Sequence, residues 1–388
     1  MKKFFLLGII AFAALSVTSC TKDEVIEIMP QEAIEFGTYL GHDVQSRGVV
    51  LDNSNFNQFG VFASYTDGEW NANSPINFMF NQVVNKSGNN WTYSPLKYWP
   101  ADQSYKVSFF AYAPYAASDN GISLVTEKTG AGAPQILYTI NDSNLGKMAD
   151  FVADVQINHS KDENIESGID QVDENVTFSL KHELTRVNIL AKLDRDAFGP
   201  NDVANKTKVN IKSVEFTGSK DLFASKGTYT FATENDKRGT WQTTPTQDGD
   251  TINLASILNA QVDTYLSPYT ISGVSVGTTT AVPLFKNAEY LFLIPVAGET
   301  GLATAGDVKM KIAYDIVTVD SAVYSGYTAT PAVKEISLPV GALKQGWAYL
   351  YTLTFGLNEI VLSAEVSDWS TAGPEEDVDW DDVDFIQQ

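Results

Sequence analysis

Apolar and polar residues alternate with a period of two along most of the chain, the pattern of strands that bury one face. Met310, Ile312, Tyr314 and Ile316 alternate with Lys309, Lys311, Ala313 and Asp315. Tyr105, Val107, Phe109 and Ala111 share one parity, as do Tyr349, Tyr351, Leu353 and Phe355, and then Ile360, Leu362, Ala364 and Val366. Near the start, Ile34, Phe36, Thr38 and Leu40 fall on one face, and Glu35 and Tyr39 on the other. Turn clusters such as Asp67-Gly68 and Asp119-Asn120-Gly121 separate the runs. Only Ser256 to Leu266 reads as an amphipathic helix, of about three turns. Many short strands punctuated by Gly and Pro predict an all-β protein made of β-sandwiches.

Two stretches refine this picture. Phe178, Leu180 and His182 share one parity, and Val187, Ile189 and Ala191 the other, so a bulge or bend is expected around Thr185-Arg186. His182 then points into a core as a hydrogen-bonded side chain. The polar run from His159 to Glu174 has no periodic apolar face and reads as a loop or linker. A boundary placed there gives an N-terminal domain over 48–174 and a C-terminal domain over 175–374.

The chain has 388 residues, enough for two or three domains, and 26 basic against 48 acidic residues leave a net charge of −22. A surface that tracks nucleic acid needs clustered Lys and Arg, so nucleic acid is excluded as a partner, as is electrostatic docking on anionic lipid. Three His and one Cys exclude a His/Cys zinc site or a disulfide framework within one chain.

The first 20 residues read as an export signal. Lys2 and Lys3 precede the apolar stretch Phe4 to Leu15, which as a helix rises only about 18 Å, short of the hydrocarbon core of a membrane. Val17-Thr18-Ser19-Cys20 resembles the lipobox of bacterial lipoproteins, in which the cysteine is diacylated. On that reading Cys20, the chain's single cysteine, is a lipid anchor.

No motif points to catalysis or to a cofactor. Gly273-Val274-Ser275-Val276-Gly277 matches the nucleophile-elbow pattern, but His42, His159 and His182 all precede Ser275, so the order of a triad fails and a hairpin turn is expected instead. Asp377, Asp379, Asp381 and Asp382 start like a calcium loop, yet Asp382 and Gln388 stand where Gly and Glu are required. A non-enzymatic protein is expected.

Several local patterns then line up in order. They are Phe59-Gly60-Val61-Phe62-Ala63, Trp91-Thr92-Tyr93-Ser94-Pro95-Leu96-Lys97-Tyr98-Trp99-Pro100, and Ser108-Phe109-Phe110-Ala111-Tyr112-Ala113-Pro114-Tyr115. Further on come Phe178-Ser179-Leu180-Lys181-His182-Glu183-Leu184, Tyr290-Leu291-Phe292-Leu293-Ile294-Pro295, Gly346-Trp347-Ala348-Tyr349, and Val366-Ser367-Asp368-Trp369. Taken with the lipobox, the chain resembles the fimbrillin family of Bacteroidetes surface lipoproteins from about Ile34 to Trp369. The resemblance implies two transthyretin-like β-sandwich domains in tandem and a role as a fimbrial (pilus) subunit. It also implies an outer-membrane lipoprotein precursor that a trypsin-like protease cuts after an Arg following the first strand. Other fimbrial subunits would be its partners.

The residues here accommodate that scheme. The strand around Ile34, Phe36, Thr38 and Leu40 is followed by Gly41-His42-Asp43-Val44-Gln45-Ser46 and then Arg47-Gly48, a bond a trypsin-like protease accepts in an exposed loop. Residues 21–47 would be a propeptide. The extension 375–388 is a candidate donor strand, with Val378, Trp380, Val383 and Phe385 as anchors, although seven of its fourteen residues are acidic. The competing expectation is a surface lipoprotein that does not polymerise and binds glycans through exposed aromatics such as Trp70, Trp91 and Trp99.

Overall fold

The computed structural model describes residues 32–40, 51, 55–102, 104–117, 119–160, 175–194, 207–219, 222–244, 250–260, 273–286, 289–320, 322–356, 359–369 and 386–387. Cys20, Arg47, Gly48 and the anchors Val378, Trp380, Val383 and Phe385 lie outside the described residues. The described chain is almost entirely β, as the period-two pattern predicts.

Nine strands form its first half. They are β1 (Glu35–Leu40), β2 (Gln58–Asp67), β3 (Met79–Ser87), β4 (Asn90–Thr92), β5 (Tyr105–Ala113), β6 (Ile122–Leu124), β7 (Gln135–Thr139), β8 (Val152–His159) and β9 (Asn175–His182). Seven of them make one sheet in the order β1-β9-β8-β5-β2-β3-β4. The chain continues through β10 (Thr185–Leu193), β11 (Thr207–Gly218), β12 (Lys226–Thr230), β13 (Thr240–Thr243), β14 (Thr251–Asn253), β15 (Val274–Val276), β16 (Val282–Pro283) and β17 (Leu291–Leu293). It closes with β18 (Val308–Val319), β19 (Tyr327–Ser337), β20 (Trp347–Phe355), β21 (Ile360–Asp368) and β22 (Ile386–Gln387). Of these, β16-β10-β20-β21-β22 lie in one sheet with β17 on β10, and β14-β11-β18-β19 in another with β15 on β11.

The fourth sheet, β13-β12-β7-β6, draws two strands from each half of the sequence. It covers one face of the seven-stranded sheet: Phe231 meets Phe62 and Phe110, and Tyr229 meets Phe151 at 5.0 Å. The expected boundary at 174/175 falls just before β9, which lies between β1 and β8 in the first sheet. The two C-terminal sheets pack on each other in turn, as Tyr314 against Phe355 illustrates.

Strand β5 shows how composition sets position. Val107, Phe109 and Ala111 point into one core, and Phe110 and Tyr112 into the other, so a strand buried on both faces reads as a continuous apolar run. Gly60 on neighbouring β2 leaves room for the Tyr112 ring, which a Cβ there would strike.

Four expectations change. The described part of the helix expected over Ser256 to Leu266 holds a single 3-10 turn, Ala255–Ile257, and Leu258 then bridges to Phe285. Instead of one bent strand at Thr185-Arg186, the chain leaves the first sheet after His182 and enters another at Thr185, the parity changing with the sheet. Gly273 to Gly277 is no hairpin turn: β15 pairs with β11, and Gly273 lies against the Ile211 carbonyl, where a Cβ would not fit. The face shared by Met310 and Ile312 does not persist to Ile316, which is exposed while Val317 is buried. Opposite this reversal β11 carries a bulge, and its Lys212 reaches Asp315 at 2.6 Å.

Candidate functional site

The first strand occupies a singular place. β1 runs parallel to β9 in continuous register from Glu35 opposite Asn175 to Leu40 opposite Leu180. It lies at the end of the sheet, reached from the first strand of the chain to a partner far along the sequence. Ile34 is 0% exposed, Phe36 5% and Leu40 3%, and Thr38 is partly buried, so the face expected to be buried is buried. Glu35 and Tyr39 point outward as expected.

Phe36 enters a cage of four rings. Tyr93 lies 5.2 Å away between centroids, Phe178 5.7 Å, Phe109 5.8 Å and Phe59 6.2 Å. The Phe59 and Phe109 rings meet it edge-on, the favoured arrangement for aromatic quadrupoles. Next to it Gly37 crosses Thr177 closely, since a Cβ there would sit 2.9 Å from the Thr177 hydroxyl.

A second contact holds the entry to the strand. Ile34 N–H donates to the Lys97 carbonyl (2.9 Å), Trp99 N–H to the Glu32 carbonyl (3.0 Å), and the Tyr93 hydroxyl to the Ile34 carbonyl (2.8 Å). Ala33 bridges to Tyr98. Burial pushes the Tyr93 phenol up, so it stays a neutral donor. The segment Tyr93 to Trp99 thus clasps one side of the ribbon while β9 holds the other. Its residues were legible as a motif, but no periodicity shows that they close on Ile34.

β9 is bound less evenly. Against β8 it pairs only at Val152–His182 and Ala153–Lys181. Past that point the Asp154 carboxylate takes the Ser179 N–H (2.8 Å) and a bond from Gln156 Nε2 (3.1 Å). Burial raises the Asp154 carboxyl to about 6 despite these bonds. Six register pairs with β1 against two with β8 make β1 the larger backbone partner of β9.

Where description resumes after β1, Leu51 N–H donates to Asp150 Oδ2 (2.9 Å), and Asp150 Oδ1 lies 3.0 Å from His182 Nδ1. The His182 ring stacks on Trp369 at 3.8 Å and 10°. His182 is therefore the buried, hydrogen-bonded core histidine expected from its parity. Trp369, the end of the terminal Val366-Ser367-Asp368-Trp369 pattern, also stacks on Phe292 and takes the Arg186 guanidinium on its ring.

The tryptophans singled out for sugar stacking lie elsewhere. Trp70 and Trp99 are both 8% exposed, and Trp91 is partly buried against Phe56 and Phe59, each at 4.9 Å. They fill cores and offer no platform. No helix among the described residues is long and apolar enough to cross a membrane.

Comparison with known proteins agrees with this architecture. A curated relative, Fimbrium subunit Fim1C of Phocaeicola vulgatus, is 31% identical over 376 residues, covering 92% of this chain and 94% of the relative. The crystal structure of a fimbrial protein from Bacteroides vulgatus superposes with a TM-score of 0.68 at 27% identity, covering 87% of this chain and 99% of that one. The family model described as fimbrillin-like matches residues 50–369, and the chain belongs to that family.

Proposed function

We propose that the protein is a structural and adhesive subunit of a surface fimbria that assembles by exchanging its first strand. In this reading it is exported as an outer-membrane lipoprotein anchored at Cys20 and cut after Arg47 by a trypsin-like protease. The ribbon bearing Ile34, Phe36, Thr38 and Leu40 then leaves, and a strand of another subunit takes its place. Family membership and the fimbrial relatives support the subunit role. The position of β1 carries the exchange step: an edge strand, buried by its own side chains, with Arg47 in the stretch that follows it.

The physics favours replacement over simple loss. Exposing Ile34, Phe36 and Leu40 costs roughly 5–9 kcal/mol of apolar burial. It also strips β9 of most of its ladder, which makes a template for β-augmentation. A second subunit's extension can restore both. In the extension, Val383-Asp384-Phe385 repeats the apolar-acidic-aromatic order of Ile34-Glu35-Phe36, as does Val378-Asp379-Trp380. Each triplet would set an aromatic ring in the Phe36 cage and keep the carboxylate on the outward face, where Glu35 stands. In the Val383 register Asp382 and Asp384 face outward, whereas Asp381 shares the parity of Val383 and Phe385 and has to lie beyond the end of the groove. Ile386–Gln387 pair with Ala364 and Ser363 of the same chain, which gives the tail a resting place before exchange.

Limited trypsin treatment of the purified precursor tests this reading. A new N-terminus at Gly48, followed by oligomer ladders that resist mild detergent, is the expected result. An Arg47→Ala chain should stay monomeric under the same treatment. Ladders from that variant, or a processed chain that stays monomeric at high concentration, would overturn the proposal.

A further inference from the structure

Strand β19 closes the order β14-β11-β18-β19 and is the longest strand at the end of any sheet among the described residues. Its 11 residues, Tyr327–Ser337, pair with β18 along one edge and leave the other open. Thr328 to Pro331 and Val333 to Glu335 are exposed, Val333 at 61%. No charge interrupts Tyr327 to Val333, and Tyr, Thr and Val favour strands, so the run has the composition of a segment that pairs with its own kind. Pro331 sits in the middle of it.

The ladder fixes which way Pro331 faces. Val319 stands opposite Tyr327 and Lys309 opposite Ser337, with no shift of register between them. One step beyond each end, Asp320 N–H donates to the Gly326 carbonyl (3.0 Å) and Leu338 N–H to the Val308 carbonyl (3.0 Å). In an antiparallel pair the bonded positions recur at every second residue, so Thr328, Thr330, Ala332, Lys334 and Ile336 are the residues of β19 that bond to β18. Pro331, opposite Asp315, falls between them. Its ring nitrogen therefore looks out on the open edge and costs β18 no bond. Ala329, Val333 and Glu335 turn both N–H and carbonyl to the same edge, and among the described residues no backbone group takes them.

We propose that Pro331 is a guard that keeps copies of this chain from joining side by side through β19. Two identical strands related by a two-fold axis pair antiparallel. On this edge they have to match odd-numbered positions to odd-numbered ones, from 327 to 337. Every such register that matches three or more positions on each strand takes in Pro331, which has no N–H to give, with one exception. The exception matches 333, 335 and 337; it is short and sets Glu335 opposite Glu335. An edge that would otherwise be a template for lateral addition is thus closed to sister chains by one residue. The inference is independent of strand exchange, since the sheet of β19 shares no strand with that of β1.

Size-exclusion chromatography with light scattering tests it on the full chain, in an Arg47→Ala background so that cleavage contributes nothing. Pro331 is exposed and its nitrogen bonds nothing, so substitutions there keep the fold. Pro331→Thr should strengthen self-association about tenfold or more, because each pair of copies regains two N–H donors. Adding Val333→Pro, which blocks the same edge without touching the bonds to β18, should return the chain to the state of the background. A Pro331→Thr chain that associates no more than its background would overturn the inference, as would association that survives Val333→Pro. So would a background that already associates and that Val333→Pro alone makes monomeric.

Discussion

The two faces of the seven-stranded sheet are built from the same strands and closed in opposite ways. On one face Phe62, Phe110 and Tyr112 pack under a second sheet whose strands are continuous with the rest of the chain. On the other, Phe59, Phe109 and Phe178 are closed by one short ribbon and the segment Tyr93 to Trp99. The aromatic density is similar, so burial alone would not distinguish a permanent core from the exchangeable one proposed above. What differs is the covering element. A sheet held by several ladders cannot leave without unfolding the domain, whereas on the proposed reading six residues at an edge do.

The sharpest way to break that comparison is to cut one ring from each face. Phe110→Ala should destabilise the protein by about 3–5 kcal/mol, and by the same amount whether or not the chain has been cut after Arg47. Phe36→Ala should cost a similar amount in the intact chain and nothing once β1 has been displaced. Urea unfolding of intact and trypsin-cut samples measures both. Equal losses for Phe36→Ala in the two samples would mean that the ribbon never leaves.

These residues also mark what the amino-acid sequence reveals. The alternation of Ile34, Phe36 and Leu40 already showed which face of β1 is buried, because period two reports a buried face directly. It could not show that β1 lies beside β9, roughly 140 positions on, or that β6 and β7 pair into a sheet with β12 and β13. Periodicity names the face of a strand and never its partner. Trp70 and Trp99 illustrate a second gap: a large ring between polar neighbours reads alike in a core and on a surface. The Phe36 cage was visible only as separate family patterns around Phe59, Tyr93, Phe109 and Phe178, which the fold brings together.

The acid on β8 sharpens the comparison from the side of charge. Asp154 titrates near 3.8 when unperturbed and about 6 in the fold, because burial disfavours its charged form. The native state therefore holds that proton more tightly, and the stability it contributes below pH 4 is lost as pH rises from about 4 to 6. Asp154→Asn keeps an acceptor for the Ser179 N–H and removes the buried charge. It should raise stability at pH 7 by about 1–3 kcal/mol and flatten the pH dependence between 4 and 6. Thermal unfolding across that range checks the sign. A variant less stable at pH 7 would show that the carboxylate bond to β9 outweighs its desolvation.

The smallest effect belongs to the clasp. Tyr93→Phe keeps a ring in the Phe36 cage but removes the donor to the Ile34 carbonyl, leaving a buried acceptor without its side-chain partner. The loss should be about 1–2 kcal/mol, and it should fall on the ribbon alone. Release of the β1 peptide from the cut chain would then quicken about five- to thirtyfold, while unfolding of the remainder stays as in the parent. Chromatographic release of the peptide separates the two readouts. An effect confined to release identifies Tyr93 as a latch on the exchangeable face. An equal effect on global unfolding would mean that the two faces of this sheet are closed with the same permanence after all.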